Sequence, residues 1–202
     1  MILFAKRAID ISFSLVGLIV LTPVFLVVLI LIKIDSPGPV FYKQIRVGKD
    51  GKEFFIYKFR KMYHSQNIKG PNVTITNDVR LTKFGRVLMK HKIDELPQIW
   101  NVLKGDMSIV GPRPELPCFV ELYTEEQWEI LKVRPGITDY ATIDYIDEGE
   151  LLGQSKDPEK FYIEMLMGKK LVQNTKYINE MSVYTDIKII FATLSKIFRR
   201  RE

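Results

Sequence analysis

The chain has 202 residues, of which 47% are hydrophobic and 27% are charged, and its formal net charge is +6 at pH 7. This length and mixed composition fit one principal folded domain and exclude an intrinsically disordered protein. A single cysteine, Cys118, excludes an intrachain disulfide, and without a Cys/His cluster there is no structural zinc site. The positive charge predicts an anionic partner, but nucleic acid, phospholipid head groups and nucleotide phosphates all meet that description.

The N-terminal region is predicted to be a membrane helix within residues 1–36. Residues 11–32 carry no charge, and a straight helix of that length would reach about 33 Å. Thr22-Pro23 lies at its midpoint, where proline removes one backbone donor and the threonine hydroxyl can bond a carbonyl that is left free. We therefore expect this helix to break or bend at Thr22-Pro23.

The charges on both sides of the apolar segment bear on its topology. Lys6 and Arg7 precede it and Lys33 follows it, so the positive-inside rule places both ends in the cytoplasm. A re-entrant helix-break-helix satisfies this rule. From these residues alone, an ordinary Pro-kinked crossing remains open.

The C-terminal region, about residues 185–201, has the pattern of an amphipathic helix. Its apolar residues fall on one face and basic residues surround them. Such a helix could pack on the core, but beside a membrane segment we favour an interfacial helix lying on anionic lipid. The apolar face consists of Ile187, Ile190, Phe191, Leu194, Ile197 and Phe198.

The middle of the chain predicts a short β element followed mainly by helices. Val40–Gln44 and Glu53–Lys58 are strand-like and are joined by turn residues, which indicates a β-hairpin. Leu81–His91 has the periodicity of an amphipathic helix. The expected fold class is therefore mixed α/β and mainly helical, with residues 37–202 forming a small cytosolic catalytic domain.

An acid pair, Asp94-Glu95, begins the next predicted helix in "HKIDELPQIW". The structural explanation is a helix N-cap, because aspartate is a preferred cap and proline is favoured in a first turn. Arg113 in "KGDMSIVGPRPELP" and Arg134 in "VRPGIT" follow on turns stiffened by proline and glycine. Arginine on a rigid turn suits bidentate binding of phosphate, although a salt bridge is the commoner role of an arginine.

The known nucleotide-binding motifs do not explain these residues. The sequence contains neither a P-loop nor a G-x-G-x-x-G turn, and its two histidines, His64 and His91, lie outside any nucleophile elbow. What remains is carboxylate chemistry on phosphate. An aspartate at a helix N-terminus can attack a phosphoryl centre while a neighbouring carboxylate binds Mg²⁺.

Three segments together resemble the bacterial sugar transferase family of small monotopic phosphoglycosyl transferases. They are "GPVFYKQIRVGKDGKEFFIYKFRKM", "IDELPQIWNVLKGDMSIVGPRPE" and "VRPGIT". With the N-terminal segment, the resemblance covers nearly the whole chain. It implies transfer of a sugar 1-phosphate from a UDP-sugar to undecaprenyl phosphate, with release of UMP, by a ping-pong mechanism through a covalent aspartyl phosphosugar. This would be the first membrane step of bacterial glycoconjugate synthesis.

The resemblance also assigns candidate site residues. Asp94 would be the nucleophile and Glu95 the Mg²⁺ ligand, and the substrate-binding candidates are Lys58, Arg60, Arg113 and Arg134. Thr22-Pro23 corresponds to the membrane break of the family. The implied location is monotopic, at the cytoplasmic face of the bacterial inner membrane. Expected partners are UDP-sugar, undecaprenyl phosphate and membrane lipid but not nucleic acid, with a homodimer or pathway glycosyltransferases as further candidates.

The sequence departs from the family pattern in two places. Met89 stands where family members commonly carry an arginine, which puts one phosphate contact in doubt. Asp139–Thr142 replaces the usual continuation of "RPGITG", which suggests a different sugar or nucleotide pocket. Two other functions stay open: a basic membrane adaptor that binds anionic lipid or nucleic acid without catalysis, and a hydrolase of nucleotide sugars or lipid pyrophosphates.

Overall fold

The computed structural model describes residues 2–64 and 70–199, and the protein in this range is mainly helical. Short 3₁₀ turns connect several helices, and a π-helix, Tyr162–Met167, leads directly into α9. The helices are α1 (Ile2–Asp35), α2 (Lys83–Lys90), α3 (Gln98–Lys104), α4 (Pro117–Val120), α5 (Glu125–Trp128), α6 (Tyr140–Asp144), α7 (Glu148–Gly153), α8 (Pro158–Phe161), α9 (Gly168–Asn179) and α10 (Val183–Arg199). The strands are β1 (Phe41–Val47), β2 (Glu53–Phe59), β3 (Ser108–Val110) and β4 (Gly136–Thr138).

Helix α1 is long and apolar enough to cross a membrane, as the sequence predicts. Only 11% of its most apolar 18-residue window is buried within the protein, so it is not the core helix of a soluble domain. Helix α1 continues through Thr22 and Pro23, so any bend at this pair leaves the residues on both sides helical. Pro23 removes the donor to the carbonyl of Ile19, four residues earlier. The Thr22 hydroxyl donates to a different carbonyl, Leu18 O, at 2.7 Å.

The predicted hairpin is confirmed and is longer than expected. Strands β1 and β2 pair antiparallel, with Phe41 opposite Phe59 and Val47 opposite Glu53. The last residues of β2, including Lys58, are buried. Strand β2 thus presents a basic side chain to the interior of the domain, next to α3, which hydrogen-bonds to β2 through Asn101.

Strands β3 and β4 pair parallel and were not predicted. They bring together the two stiff turns that carry Arg113 and Arg134. Gly111 N donates to Thr138 O at 3.0 Å, and Gly136 N donates to Pro112 O at 2.9 Å. The turns predicted separately from the sequence therefore form one backbone unit.

The core of the domain is formed by its C-terminal helices, and a second cluster joins the domain to α1. In that second cluster Val28 and Ile32 of α1 pack with Phe59 of β2 and Leu88 of α2. Helix α10 covers the predicted C-terminal helix up to Arg199, whereas the remainder of the prediction lies outside the described residues. The main core cluster comprises Val73, Leu116, Phe119, Ile130, Leu152, Tyr162, Leu166, Met167 and Leu171.

Candidate active site

The acid pair lies in a tight turn between two helices. After α2, Lys92 adopts a left-handed conformation with φ 56°, and Ile93–Glu95 form a single 3₁₀ turn. The N-cap position of the next helix, α3, is Pro97. The explanation of Asp94 as a helix cap is therefore wrong, because the chain turns once more before α3 begins.

Glu95 is held between two basic residues that the sequence had named. Lys58 Nζ lies 2.9 Å from Glu95 Oε1, and Arg113 Nη1 lies 3.1 Å from Oε2 while its Nη2 contacts Oε1. Burial acts to raise the pKa of Glu95, but Arg113 and Lys58 outweigh it and hold the pKa well below its usual range. Glu95 is thus ionised at neutral pH, and its charge in turn raises the pKa of Arg113.

The two lysines near Glu95 have lowered pKa values. Burial lowers the pKa of Lys58 to about 8, although Glu95 acts in the opposite direction. Burial likewise lowers the pKa of Lys92, against the attraction of Glu95. A perturbed lysine in a cleft is typical of a functional site.

Asp94 is almost completely buried, with 1% of its surface exposed. Lys61 Nζ lies 2.8 Å from its Oδ2, while Oδ1 is buried and has no hydrogen-bond partner among the described residues. A buried oxygen without a partner costs about 1–3 kcal/mol. Because this unpaired oxygen does not stabilise the fold, it is a candidate to contact a ligand or to take part in a reaction.

The immediate surroundings of the pair carry more positive than negative charge. Lys58, Lys61 and Arg113 contact one or other of the two carboxylates, and Lys92 lies close enough to Glu95 to act on its pKa. Among the described residues, these four basic side chains surround the two carboxylates, while Asp139 and Glu148 also raise the pKa of Arg113. The site therefore favours a further anionic group, and phosphate fits the guanidinium geometry of Arg113.

A cavity of about 300 Å³ opens beside Glu95 and Arg113. Its walls are mostly apolar and come from α1, α3 and α10 together with β3 and β4. Asp94 does not line this cavity, whereas its neighbours Glu95 and Leu96 do. The apolar lining residues are Leu21, Leu96, Ile99, Ile109, Ile137, Ala141, Ile146, Ile190, Leu194 and Ile197, and the polar ones are Lys92, Glu95, Arg113, Thr138, Thr142, Tyr145, Glu148, Lys170 and Thr193.

The structure does not bring Arg60 and Arg134 to the acid pair. The Arg60 guanidinium donates to Pro37 O and Ser36 O, each at 2.7 Å, directly after α1 ends. Arg134 Nε donates to Gly105 O at 3.0 Å, at the end of α3. Both arginines therefore bind the carbonyl groups that follow a helix, which the helix itself leaves without donors.

Comparison with known proteins agrees with the geometry. Residues 1–200 match the model of the family described as bacterial sugar transferase. The chain belongs to the bacterial sugar transferase family. This membership confirms the resemblance carried by the acid pair and the two Arg-Pro turns.

Three relatives show how far this similarity reaches. The chain is 38% identical over 197 residues to the UDP-N-acetylgalactosamine-undecaprenyl-phosphate N-acetylgalactosaminephosphotransferase of Aeromonas hydrophila, covering 96% of this chain and 44% of the relative. It is 40% identical over 196 residues to the UDP-glucose:undecaprenyl-phosphate glucose-1-phosphate transferase of Escherichia coli K12, covering 96% and 40%. It is 37% identical over 192 residues to the uncharacterized sugar transferase EpsL of Bacillus subtilis, covering 95% and 86%. The chain thus spans less than half the length of the first two relatives.

This sugar transferase domain also contains site residues that the sequence did not reveal. Lys61 and Lys92 lie beside the acid pair, and Glu148 and Lys170 line the same cavity. The basic run that begins at Lys58 and continues through Lys61 was a usable signal for Lys61. Nothing in the helical pattern around Glu148 or Lys170 indicated a site.

The carboxylates fit one kind of metal site. Within residues 2–64 and 70–199, no group of three or more His, Cys, Asp or Glu side chains could hold a metal by itself. Mg²⁺, however, is often bound by one or two carboxylates and completed by substrate phosphates and water. Glu95 on the cavity wall and the unpartnered Asp94 Oδ1 are compatible with that second arrangement.

Proposed function

We propose that this protein transfers a sugar 1-phosphate from a UDP-sugar to undecaprenyl phosphate and releases UMP. The observation that carries the proposal is the acid pair, set among four cations beside a largely apolar cavity. Phosphates suit the cations, and a polyprenyl chain suits the apolar walls. Two relatives whose names specify a UDP-sugar and undecaprenyl phosphate as substrates support the same assignment.

The proposed reaction has two steps. In the first, Asp94 Oδ1 attacks the phosphorus that carries the sugar; an O–P bond forms, the bond to the leaving phosphate breaks, and UMP departs. In the second, an oxygen of undecaprenyl phosphate attacks the same phosphorus and releases the Asp94 carboxylate. Oδ1 is suited to this role because it gives up no hydrogen bond within the described structure.

The neighbouring side chains have separate roles in this proposal. Arg113, Lys58 and Lys92 bind the phosphate oxygens of the donor and of UMP as it leaves. Glu95 positions Arg113 through two hydrogen bonds. Lys61 donates to Asp94 Oδ2 at 2.8 Å, which orients the carboxylate.

Glu95 is the proposed protein ligand of Mg²⁺, and it directly follows the proposed nucleophile Asp94 in the sequence. Bound Mg²⁺ would neutralise charge on the phosphates that otherwise repels an attacking carboxylate. Because Lys58 and Arg113 already contact Glu95, the carboxylate is fixed before any substrate arrives.

We further propose that α1 enters the membrane and returns to the same side. Near its start, Arg7 donates to Val102 O at 2.6 Å, and Asp10 accepts from Ile109 N at 3.0 Å. At its other end, Asp35 accepts from Phe84 N at 3.2 Å. Both ends therefore contact the same polar domain, which cannot lie on both sides of a bilayer.

The domain is proposed to rest on the cytoplasmic face of the bacterial inner membrane. Basic residues at both ends of α1 favour the cytoplasmic side. The predicted apolar stripe of α10 divides into two parts. Ile190, Leu194 and Ile197 line the cavity, whereas Ile187, Phe191 and Phe198 are exposed, Phe191 to 66%. An exposed aromatic stripe beside basic residues supports α10 as an interfacial helix on anionic lipid.

The function is tested by measuring UMP release from UDP-sugars by protein held in nanodiscs with Mg²⁺. We expect turnover to require undecaprenyl phosphate and to be lost in Asp94→Asn, together with covalent labelling by radioactive donor. Asp50→Asn, an exposed aspartate in the hairpin turn, is the matched control and should keep full activity. Release that continues without undecaprenyl phosphate would indicate a hydrolase, and normal turnover by Asp94→Asn would refute the nucleophile.

A further inference from the structure

Part of the polar lining of the large cavity is not used by the proposed reaction. Thr138 and Thr193 bond to each other at 2.7 Å, so their hydroxyl groups are already engaged. Thr142, Glu148 and Lys170 also line the cavity, and they belong to the segments following the second Arg-Pro turn. Because these three side chains carry hydrogen-bonding groups and line the cavity, they are candidates to bind a ligand.

Thr142 is held next to Arg113 by a shared partner. The carboxylate of Asp139 accepts from Arg113 N at 3.1 Å and from Thr142 N at 2.6 Å. The Thr142 hydroxyl oxygen is buried, yet it has no hydrogen-bond partner in the described part of the chain. A folded protein rarely leaves a hydroxyl both buried and unpaired, because each such group destabilises the fold.

Glu148 and Lys170 form an ion pair on the same wall, in which Lys170 is buried and Glu148 is partly buried. Lys170 Nζ lies 3.2 Å from both Glu148 oxygens and 3.3 Å from the Tyr162 hydroxyl. Glu148 also raises the pKa of Arg113, so this ion pair interacts electrostatically with one of the proposed phosphate-binding cations. Burying such a pair brings little net stability, and Tyr162 begins a π-helix, a structure frequent at functional sites.

We propose that Thr142, Glu148 and Lys170 bind hydroxyl groups of the donor's sugar ring and determine which UDP-sugar is accepted. This inference rests on the proposed function. It assigns the specificity of the transfer to residues outside the acid pair and outside the Arg-Pro turns.

The sugar is the part of the substrate whose chemistry matches these groups. It is bonded directly to the phosphate that Asp94 attacks, so it must lie within a few ångströms of Arg113. Its hydroxyl groups each donate and accept, and the wall offers an acceptor in Glu148, a donor in Lys170 and both in Thr142. The polyprenyl chain has no such groups and suits the leucine and isoleucine side chains from α1, α3 and α10.

The test compares Thr142→Val, Thr142→Ser and Glu148→Gln with the unaltered protein. Each is assayed for kcat/KM of UMP release with UDP-glucose, UDP-galactose, UDP-N-acetylglucosamine and UDP-N-acetylgalactosamine, and with monodeoxy analogues of the preferred donor. Thr175→Val and Glu150→Gln, which do not line the cavity, serve as matched controls. The unaltered protein should lose about 10- to 100-fold on one deoxy analogue, because its polar group is then left unpaired.

In Thr142→Val, kcat/KM for the parent donor should fall by a similar factor. Its kcat/KM for that deoxy analogue should fall no further, because the hydrogen bond is already missing. Thr142→Ser should keep the original preference among the donors. Glu148→Gln should change the order of preference among the four donors. An equal loss on every donor, or no change on any donor, would overturn the sugar-binding assignment. Failure of the unaltered protein to release UMP from any UDP-sugar would instead overturn the proposed function, so the two results are distinct.

Discussion

Gly111 and Gly136 pack backbone to backbone where the two Arg-Pro turns meet. A Cβ built on Gly136 would lie 2.1 Å from Gly111 N and 2.5 Å from Gly111 O. No side chain can be accommodated at such short distances. The contact requires glycine for space and not for unusual backbone angles. It fixes the turn that carries Arg113 to β4, and Asp139, just after β4, accepts from Arg113 N.

Gly136→Ala is therefore expected to destabilise the protein. The added methyl group meets only backbone atoms, which cannot rotate away, so the free energy of unfolding should fall by about 3 kcal/mol, at the upper end for overpacking. The measurement is chemical unfolding in detergent followed by circular dichroism. Gly168→Ala is the control, because nothing lies within 4 Å of a Cβ at that helical position; a fall of equal size there would contradict the explanation.

Glu95→Gln removes the charge that links Lys58 and Arg113. We expect kcat to fall about 100-fold, because an aligned electrostatic contact in a buried site is lost, and the dependence of the rate on Mg²⁺ to weaken at the same time. Titration of the rate against Mg²⁺ measures both effects. Glu150→Gln, on exposed α7 surface, should leave both unchanged.

An unaltered Mg²⁺ response in Glu95→Gln would remove Glu95 from the metal site. It would leave the residue as the positioning partner of Arg113, a role that the two hydrogen bonds between them already support.

The lowered pKa of Lys58 predicts that activity changes near pH 8. Its ammonium carries a charge that binds phosphate, and burial lowers its pKa to about 8. Above that pH the lysine becomes neutral, so kcat/KM for the UDP-sugar should fall as pH rises through about 8. Lys58→Arg should move the fall to higher pH because a guanidinium stays charged, and an unmoved inflection would contradict the role of Lys58.

The effect of the same lysine on stability has the opposite sign. Between its folded pKa of about 8 and its ordinary value of 10.5, the unfolded chain binds more protons at this site than the folded chain does. The free energy of unfolding contributed by Lys58 therefore rises with pH across that interval. Unfolding at pH 7.5 and 10 should show a larger rise in the unaltered protein than in Lys58→Met, in which Lys92 still contributes.

The sequence predicted the parts of the site that depend on local pattern. Lys58 and Arg113 both contact Glu95, and all three residues were named beforehand. The hairpin and the long apolar helix also occur where expected. Strands β3 and β4 are only three residues each, too short for a periodicity to be recognised. The pairing of β3 and β4, which joins the two Arg-Pro turns, could therefore not be predicted from the sequence.

The partners of the other basic residues depend on tertiary packing and could not be read from the sequence. Arg60 and Arg134 bind backbone carbonyls after α1 and α3, while Lys61, unnamed in advance, contacts Asp94. Neighbouring residues of one strand point to opposite faces. Lys58 lies just before the end of β2 and Lys61 lies two residues after it. Both lysines can contact the acid pair only because of the direction that the chain takes after the strand.

The topology of α1 can be decided by cysteine labelling. In a Cys118→Ser background, Leu3→Cys places a thiol at an exposed position near the start of α1, and Asp50→Cys places one on the polar domain. If α1 enters and returns, an impermeant maleimide should label neither in intact spheroplasts and both after the membrane is opened. Both thiols are then on the cytoplasmic side, as the contacts of Arg7 and Asp35 with a single domain require. Labelling of Leu3→Cys alone in intact spheroplasts would show a crossing helix, and the contacts of Arg7 and Asp10 with the domain could not then exist in the membrane.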